Sequence, residues 1–241
     1  MVRLIDRSQF SLYEVPMSIH KTAVCGLVLF FAIFSGVHST GAAVPQGLSQ
    51  DYYPTDLGGE WLFKITENHS TKEASVVCDK TGKVNGLDCL HLKSSDSRLS
   101  YWVQKKDDGV YIVQTCRSVL GLADLEISFD PPIPILKFPM KPGDSWQYDG
   151  WGRTFIASKK LHISYQNKGL KTIHLNQKPL RVFEVVSRYQ VDKDPVQEQV
   201  SWYAKGLGFV GSRSKDGELS LEKFNRSQMV QTDHSDQPEA P

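Results

Sequence analysis

The sequence predicts an all-β fold: one mainly antiparallel, curved sheet, a half-barrel or a barrel, built from two unequal repeats. Three observations carry this. First, one short element occurs twice, as Pro54-Thr-Asp-Leu-Gly58-Gly-Glu-Trp61-Leu-Phe63 and as Pro139-Met-Lys-Pro-Gly143-Asp-Ser-Trp146-Gln-Tyr148. Each copy turns at Pro and Gly and then starts a strand whose two aromatics share a face, because strand side chains alternate. Second, each copy leads to a later aromatic strand, Ser100-Tyr-Trp102 and Ser201-Trp-Tyr203. Third, no stretch after residue 43 keeps a helical period with caps, while short β-rich runs recur between Gly, Pro, Asn and Asp turns. Two packed sheets fit the same pattern.

Taken in order, the chain opens on an export signal. Thr22 to Gln50 holds no charged residue, its centre Ala23–Phe34 is apolar, and small residues Ser39–Ala43 follow. That is the layout of a secretory signal peptide, assigned here to residues 1–43. Residues 1–16 make an unusually long lead that carries Asp6 and Glu14, so Met17 is the better start. An uncleaved anchor is the alternative, but the apolar core falls short of the ~20 residues that span a bilayer. Cys25 sits at the start of that core, the wrong place for a lipid-bearing cysteine. The mature chain is therefore expected outside the cytoplasm, periplasmic or secreted, membrane-anchored only if the signal stays uncleaved.

Residues 44–226 form the expected β-domain, with halves at about 52–129 and 139–226. In the first half, Glu60–Thr66 alternates around Trp61, Phe63 and Ile65. Ala74–Cys78 and Asp88–Leu92 flank the turn-rich Asp79–Gly86. Leu99–Gln104 and Val110–Thr115 flank an Asp-Gly hairpin signal. Leu120–Leu125 reads as a helical turn or a short strand. Asp130-Pro-Pro-Ile-Pro134, Pro139 and Pro142 exclude a central strand and read as an extended crossing. The second half offers Trp146–Tyr148, Arg153–Ile163, Lys171–Leu175, Leu180–Val191, Glu198–Ala204, Leu207–Arg213 and Glu218–Phe224. Residues 227–241 are polar and aperiodic, the pattern of a disordered tail.

Composition narrows the function. A net charge of +1 over 241 residues, with no Lys/Arg block longer than two, argues against nucleic acid as a partner. Removing the signal leaves Cys78, Cys89 and Cys116. Export permits disulfides, and Cys78–Cys89 across the Asp79–Gly86 turn is the first choice, with Cys89–Cys116 or three reduced thiols as alternatives.

The stretches Tyr52-Tyr53-Pro54…Gly58…Trp61-x-Phe63, Pro142-Gly143-Asp-x-Trp146 and Trp202-Tyr-Ala-x-Gly206-Leu-Gly-Phe-Val210 resemble a loose group of bacterial exported and lipoprotein-like β-rich proteins of unknown function, similar to DUF3108 and TapB-like proteins. The resemblance implies an envelope location and a curved β-sheet. It implies no reaction. The lipid-bearing cysteine of many such proteins is missing here.

No catalytic motif survives inspection. Gly143-Asp-Ser145 resembles the nucleophile block of GDS-type esterases, but the serine lies mid-chain, His234 lacks the partner spacing, and Glu60 replaces the serine in the twin element. No G-x-S-x-G elbow occurs. The histidines His69, His91, His162, His174 and His234 form no metal array, and no cofactor is expected, since Gly206-x-Gly208 opens no helix. Asn68-His-Ser70 and Asn225-Arg-Ser227 match the glycosylation sequon, which means little if the source is bacterial, as the resemblance implies. Among the tryptophans, Trp151, Trp102 and Trp202 are the candidate ligand contacts. Trp151 leads because it has no twin and sits between glycines. The expected function is non-enzymatic: binding of a lipid or other apolar or amphiphilic ligand, or of an envelope partner. A structural module pairing through sheet edges and a hydrolase without a recognisable motif are the alternatives.

Overall fold

The computed structural model describes residues 50–53, 56–67, 70–95, 99–119 and 123–226. The signal segment, the 227–241 tail, Pro54, His69, Leu120–Leu122, His234 and part of both sequons lie outside the described residues. The first described element is a 3-10 turn, Gln50–Tyr52. All other regular elements among the described residues are strands: β1 Glu60–Glu67, β2 Ser70–Val84, β3 Leu87–Ser94, β4 Leu99–Lys106, β5 Gly109–Val119, β6 Ala123–Lys137, β7 Ser145–Arg153, β8 Ser158–Leu175, β9 Lys178–Val191, β10 Gln197–Ala204, β11 Gly208–Ser214 and β12 Gly217–Asn225. Each pairs antiparallel with its chain neighbour, and β12 returns to β1 from Glu60↔Asn225 to Glu67↔Gly217, closing a twelve-stranded up-and-down barrel.

The twin elements sit six strands apart, as β1 and β7, and so do the later aromatic strands, as β4 and β10. Gly58 (φ 75°) and Gly143 (φ 92°) take the left-handed conformation that only glycine adopts freely, which turns the chain into each strand. Trp61 and Phe63, and Trp146 and Tyr148, then point inward and are buried. On β4 and β10 a bulge falls at the aromatic pair in both halves, at Trp102/Val103 and Trp202/Tyr203. It leaves Tyr101 and Tyr203 inside the barrel and Trp102 and Trp202 on its outer wall. The halves differ at their junctions. β12 and β1 pair over their full length, whereas β6 and β7 pair only at Ser128↔Arg153, Phe129↔Gly152 and Asp130↔Trp151.

Three expectations are corrected. The proline-rich stretch is strand, not a crossing: β6 runs through Pro131–Pro134 and pairs with β5. Pairing thins on both sides at the prolines: β6 has no β5 partner between Ser128 and Ile133 and no β7 partner beyond Asp130, as expected for residues lacking an N–H. β8 is continuous from Ser158 to Leu175 rather than two strands, and its tight turn at Asn176-Gln177 carries φ of 49° and 64°. The Cys78–Cys89 disulfide is absent, and no disulfide joins any of Cys78, Cys89 and Cys116. The hairpin turns at Asn85-Gly86, not across the whole 79–86 stretch, so Cys78 lies opposite Leu92 while Cys89 lies opposite Gly82. Cys78 packs in the barrel core, and Cys89 belongs to a separate outer cluster with Val84 and Val113.

Candidate functional site in the barrel interior

The pole where β1 begins is plugged. Tyr52 from the N-terminal turn meets Phe183 edge-on at 5.0 Å, and the Gly206 N–H donates to the Asp51 carbonyl. The β8–β9 hairpin tip crosses to β12, where Asn176 Nδ2 donates to the Glu222 carbonyl at 2.9 Å. Its Leu170, Ile173, Leu175 and Leu180 pack onto the core. Below this plug the interior is aromatic. Trp146 stacks on Tyr165 at 4.8 Å and 6°, and Phe209 bridges Phe63 and Tyr203 at 5.7 Å from each.

Toward the other pole the lining changes. The inward residues of β9, β10 and β11 become Ser187, Gln199, Ser201, Ser212 and Ser214, all buried. They face the apolar Leu99 and Ile127 and the hydroxyl of Thr115 on β4–β6, across the barrel. Gln199 Nε2 donates to Ser201 Oγ at 3.2 Å, and the Ser201 hydroxyl bonds the Tyr203 phenol. Ser214 Oγ is buried with no partner. Ser187 Oγ donates to the Gln199 carbonyl, and the buried Tyr189 ring lies next along β9. A buried hydroxyl without a partner costs about 1–3 kcal/mol, so Ser214 is a costly choice for a core, in a barrel whose strand number exceeds the ~8 that side chains alone fill.

Between the two zones lie five inward phenols. Burial pushes the phenols of Tyr53, Tyr101, Tyr148, Tyr165 and Tyr203 far above their ordinary value, and neighbouring phenols add to the rise at Tyr53 and Tyr165. Tyr148 donates to the Pro131 carbonyl. Tyr53 and Tyr165 have no hydrogen-bond partner among the described residues. Tyr53 and Tyr101 are half-buried and pack against the core.

The wall has a seam. Where β6 and β7 lack a ladder, side chains bridge it: Trp146 Nε1 donates to the Pro134 carbonyl and the Tyr148 hydroxyl to the Pro131 carbonyl, each at 2.8 Å. Gly150 makes room for the Tyr148 hydroxyl, which would lie 2.3 Å from any Cβ there. This short, proline-bearing stretch is the main gap in pairing among the described strands. Assembly through free sheet edges therefore has little surface to use.

The three tryptophans singled out from the sequence all lie on the outer wall and are not brought together. Trp102 covers Gly82, with the His91 ring tilted against it at 4.6 Å and Lys80 at 5.5 Å. Trp202 is buried beneath Arg213 and donates to Glu184 Oε2 at 3.0 Å. Trp151 is the exposed one, at 43%, and opposes Lys160. His91 and His162 bind Asp79 and Asp149, His162 and His174 lie near opposite ends of β8, and Ser145 is an exposed strand residue opposite Gln166. The interior residues escaped notice because serines carry no hydrophobic signal. The available sign was their period of two, Gln199-x-Ser201 and Ser212-x-Ser214, inside apolar strands.

No family model matches the sequence, and no curated protein matches it. The narrower likeness to DUF3108 and TapB-like proteins is thus without a family match. Three solved structures are similar in fold. A candidate exported protein with a YmcC-like fold from Bacteroides fragilis gives a TM-score of 0.42 at 11% identity, over 72% of this chain and 98% of its own. A candidate lipoprotein from Parabacteroides distasonis gives 0.39 at 11%, over 72% and 98%. The hypothetical lipoprotein YmcC from Escherichia coli gives 0.38 at 12%, over 70% and 88%.

Proposed function

We propose that this chain is an exported, non-enzymatic envelope protein that holds an amphiphilic ligand inside its barrel. The uncharged, apolar segment before residue 50 supports export. The polar inner wall of the barrel interior, with the Ser214 hydroxyl buried without a partner among the described residues, carries the binding reading. One wall of that space offers hydroxyl and amide groups, and the other offers Leu99 and Ile127. A ligand with an apolar body and uncharged hydrogen-bonding groups matches both walls. Native mass spectrometry of the mature chain, purified from the exported fraction without detergent, tests this. The expected result is a discrete added mass that disappears in the interior-filling variant Ser201→Leu/Ser212→Leu. A bare mass for the wild type under conditions that keep it folded overturns the reading.

A further inference from the structure

The largest exposed side chains gather at the pole opposite the N-terminal plug. Phe155 and Ile156 are 87% and 72% exposed at the apex of the β7–β8 turn, and Val196, 58% exposed, sits in the β9–β10 loop of the same pole. The two loops are tied together: the Lys160 N–H donates to Asp192 Oδ1, the Asp192 N–H to the Lys160 carbonyl, and Lys159 Nζ lies 2.7 Å from Asp192. The apex is rigid. Thr154 Oγ1 accepts from the N–H groups of Ile156 and Ala157, and the Thr154 N–H donates to the Ala157 carbonyl. These polar groups are satisfied within the turn, so moving the apex out of water leaves them paired. Behind it, Trp151 stands on the outer wall of β7, with Lys160 opposite and Arg153 and Lys159 flanking the turn. An apolar apex, an aromatic one level up and a ring of ion-paired side chains, Arg153 with Asp130 and Lys159 with Asp192, follow the layers of a bilayer surface: acyl chains, interface and headgroups.

We infer that this pole is a bilayer-docking surface, with Phe155 and Ile156 inserted, Val196 beside them and Trp151 at the headgroup level. A bilayer fits better than a protein groove because the apex is convex and the N–H groups of Thr154, Ile156 and Ala157 are already paired within the turn. The inference is independent of the interior ligand.

The test is sedimentation of the mature chain with vesicles of phosphatidylcholine and phosphatidylglycerol. Binding is expected, with a blue shift in tryptophan fluorescence that Trp151→Phe removes. Phe155→Ser/Ile156→Ser is expected to weaken partition by about a hundredfold, since each exposed apolar side chain is worth roughly tenfold. Its thermal midpoint should match the wild type, because neither side chain packs on the core. Ser201→Leu/Ser212→Leu, which tests the interior, should still bind vesicles. Failure of the wild type to bind, or equal binding by Phe155→Ser/Ile156→Ser, overturns the inference. So does loss of binding only in the interior variant, which would assign the lipid to the barrel and not to the pole.

Discussion

Replacing Trp146 with Phe should open the barrel at its weakest joint. β6 and β7 share three residue pairs, and beyond Asp130 the joint is held by the Trp146 and Tyr148 hydrogen bonds to proline carbonyls. Trp146→Phe leaves the Pro134 carbonyl unsatisfied inside the protein, a cost of about 1–3 kcal/mol. It also removes roughly 40 Å² of buried ring, about 1 kcal/mol more. The sum is about 3 kcal/mol. Tyr148→Phe keeps the ring and loses only its bond, about 1.5 kcal/mol. In urea, a slope of about 2 kcal/mol/M turns these into midpoint shifts of about 1.5 M and 0.75 M. Trp151→Phe, on the exposed wall of the same strand, is the control and should shift the midpoint by less than about 0.25 M. The double variant Trp146→Phe/Tyr148→Phe should cost less than the sum of its parts, because the first substitution already loosens the contact the second removes. If Trp146→Phe moves the midpoint no further than Trp151→Phe, these bonds do not hold the seam. If the double variant is additive, they do not act as a unit.

Two other predictions use the buried titratable groups. Phenols ionise near 10 in the unfolded chain, but burial raises those of Tyr53, Tyr101, Tyr148, Tyr165 and Tyr203 in the fold, so stability intact below about pH 10 is lost as pH rises above it. Each such phenol contributes a slope of about 1.4 kcal/mol per pH unit. Tyrosinate absorbance should therefore rise in one cooperative step together with loss of far-UV circular dichroism; gradual titration near 10 with the dichroism intact would contradict the burial. The Cys78 thiol is pushed up to about 11, first by burial and then by Asp79 and Asp56. Alkylation of the folded protein at about pH 8 should modify Cys116 and spare Cys78 and Cys89, all three should react after unfolding, and reductant should leave the thermal midpoint unchanged. Protection of two thiols after unfolding without reductant would restore the disulfide.

The twin elements were legible because their chemistry is local. Pro and Gly set the turn, and Trp and Phe or Tyr two residues apart declare one strand face, so β1 and β7 could be placed from sequence. Most hairpins were legible for the same reason: Asp107-Asp108 before Gly109, Lys205-Gly206 and Lys215-Asp216 are turns as expected. Closure was not, because the β1–β12 ladder joins Glu60 to Asn225, 165 positions away, and no local pattern records such a pairing. The cysteine error had a local cause. Thr81-Gly82 was read as a turn, but Gly82 lies within β2, where a Cβ would come within 2.9 Å of the Trp102 ring. Glycine there serves a close approach rather than a bend.

The prolines of β6 show how one feature supports opposite conclusions at different levels. Locally they argue against a strand in the middle of a sheet. In the barrel Pro131 and Pro132 sit where the β5 ladder breaks between Ser128 and Ile133 and where the β7 ladder has ended at Asp130, so their missing N–H groups fall where no ladder partner stands on either side. The carbonyls on the β7 side still need donors, and the second twin element supplies them through Trp146 and Tyr148. In the first half the same two positions, Trp61 and Phe63, lie beside a full β12 ladder. Trp61 Nε1 there bonds the Leu207 carbonyl at 2.7 Å, and Phe63 needs no hydroxyl. The repeat thus keeps its aromatics for packing in both halves, and the one difference between them, Phe63 against Tyr148, follows from whether the neighbouring strand can donate.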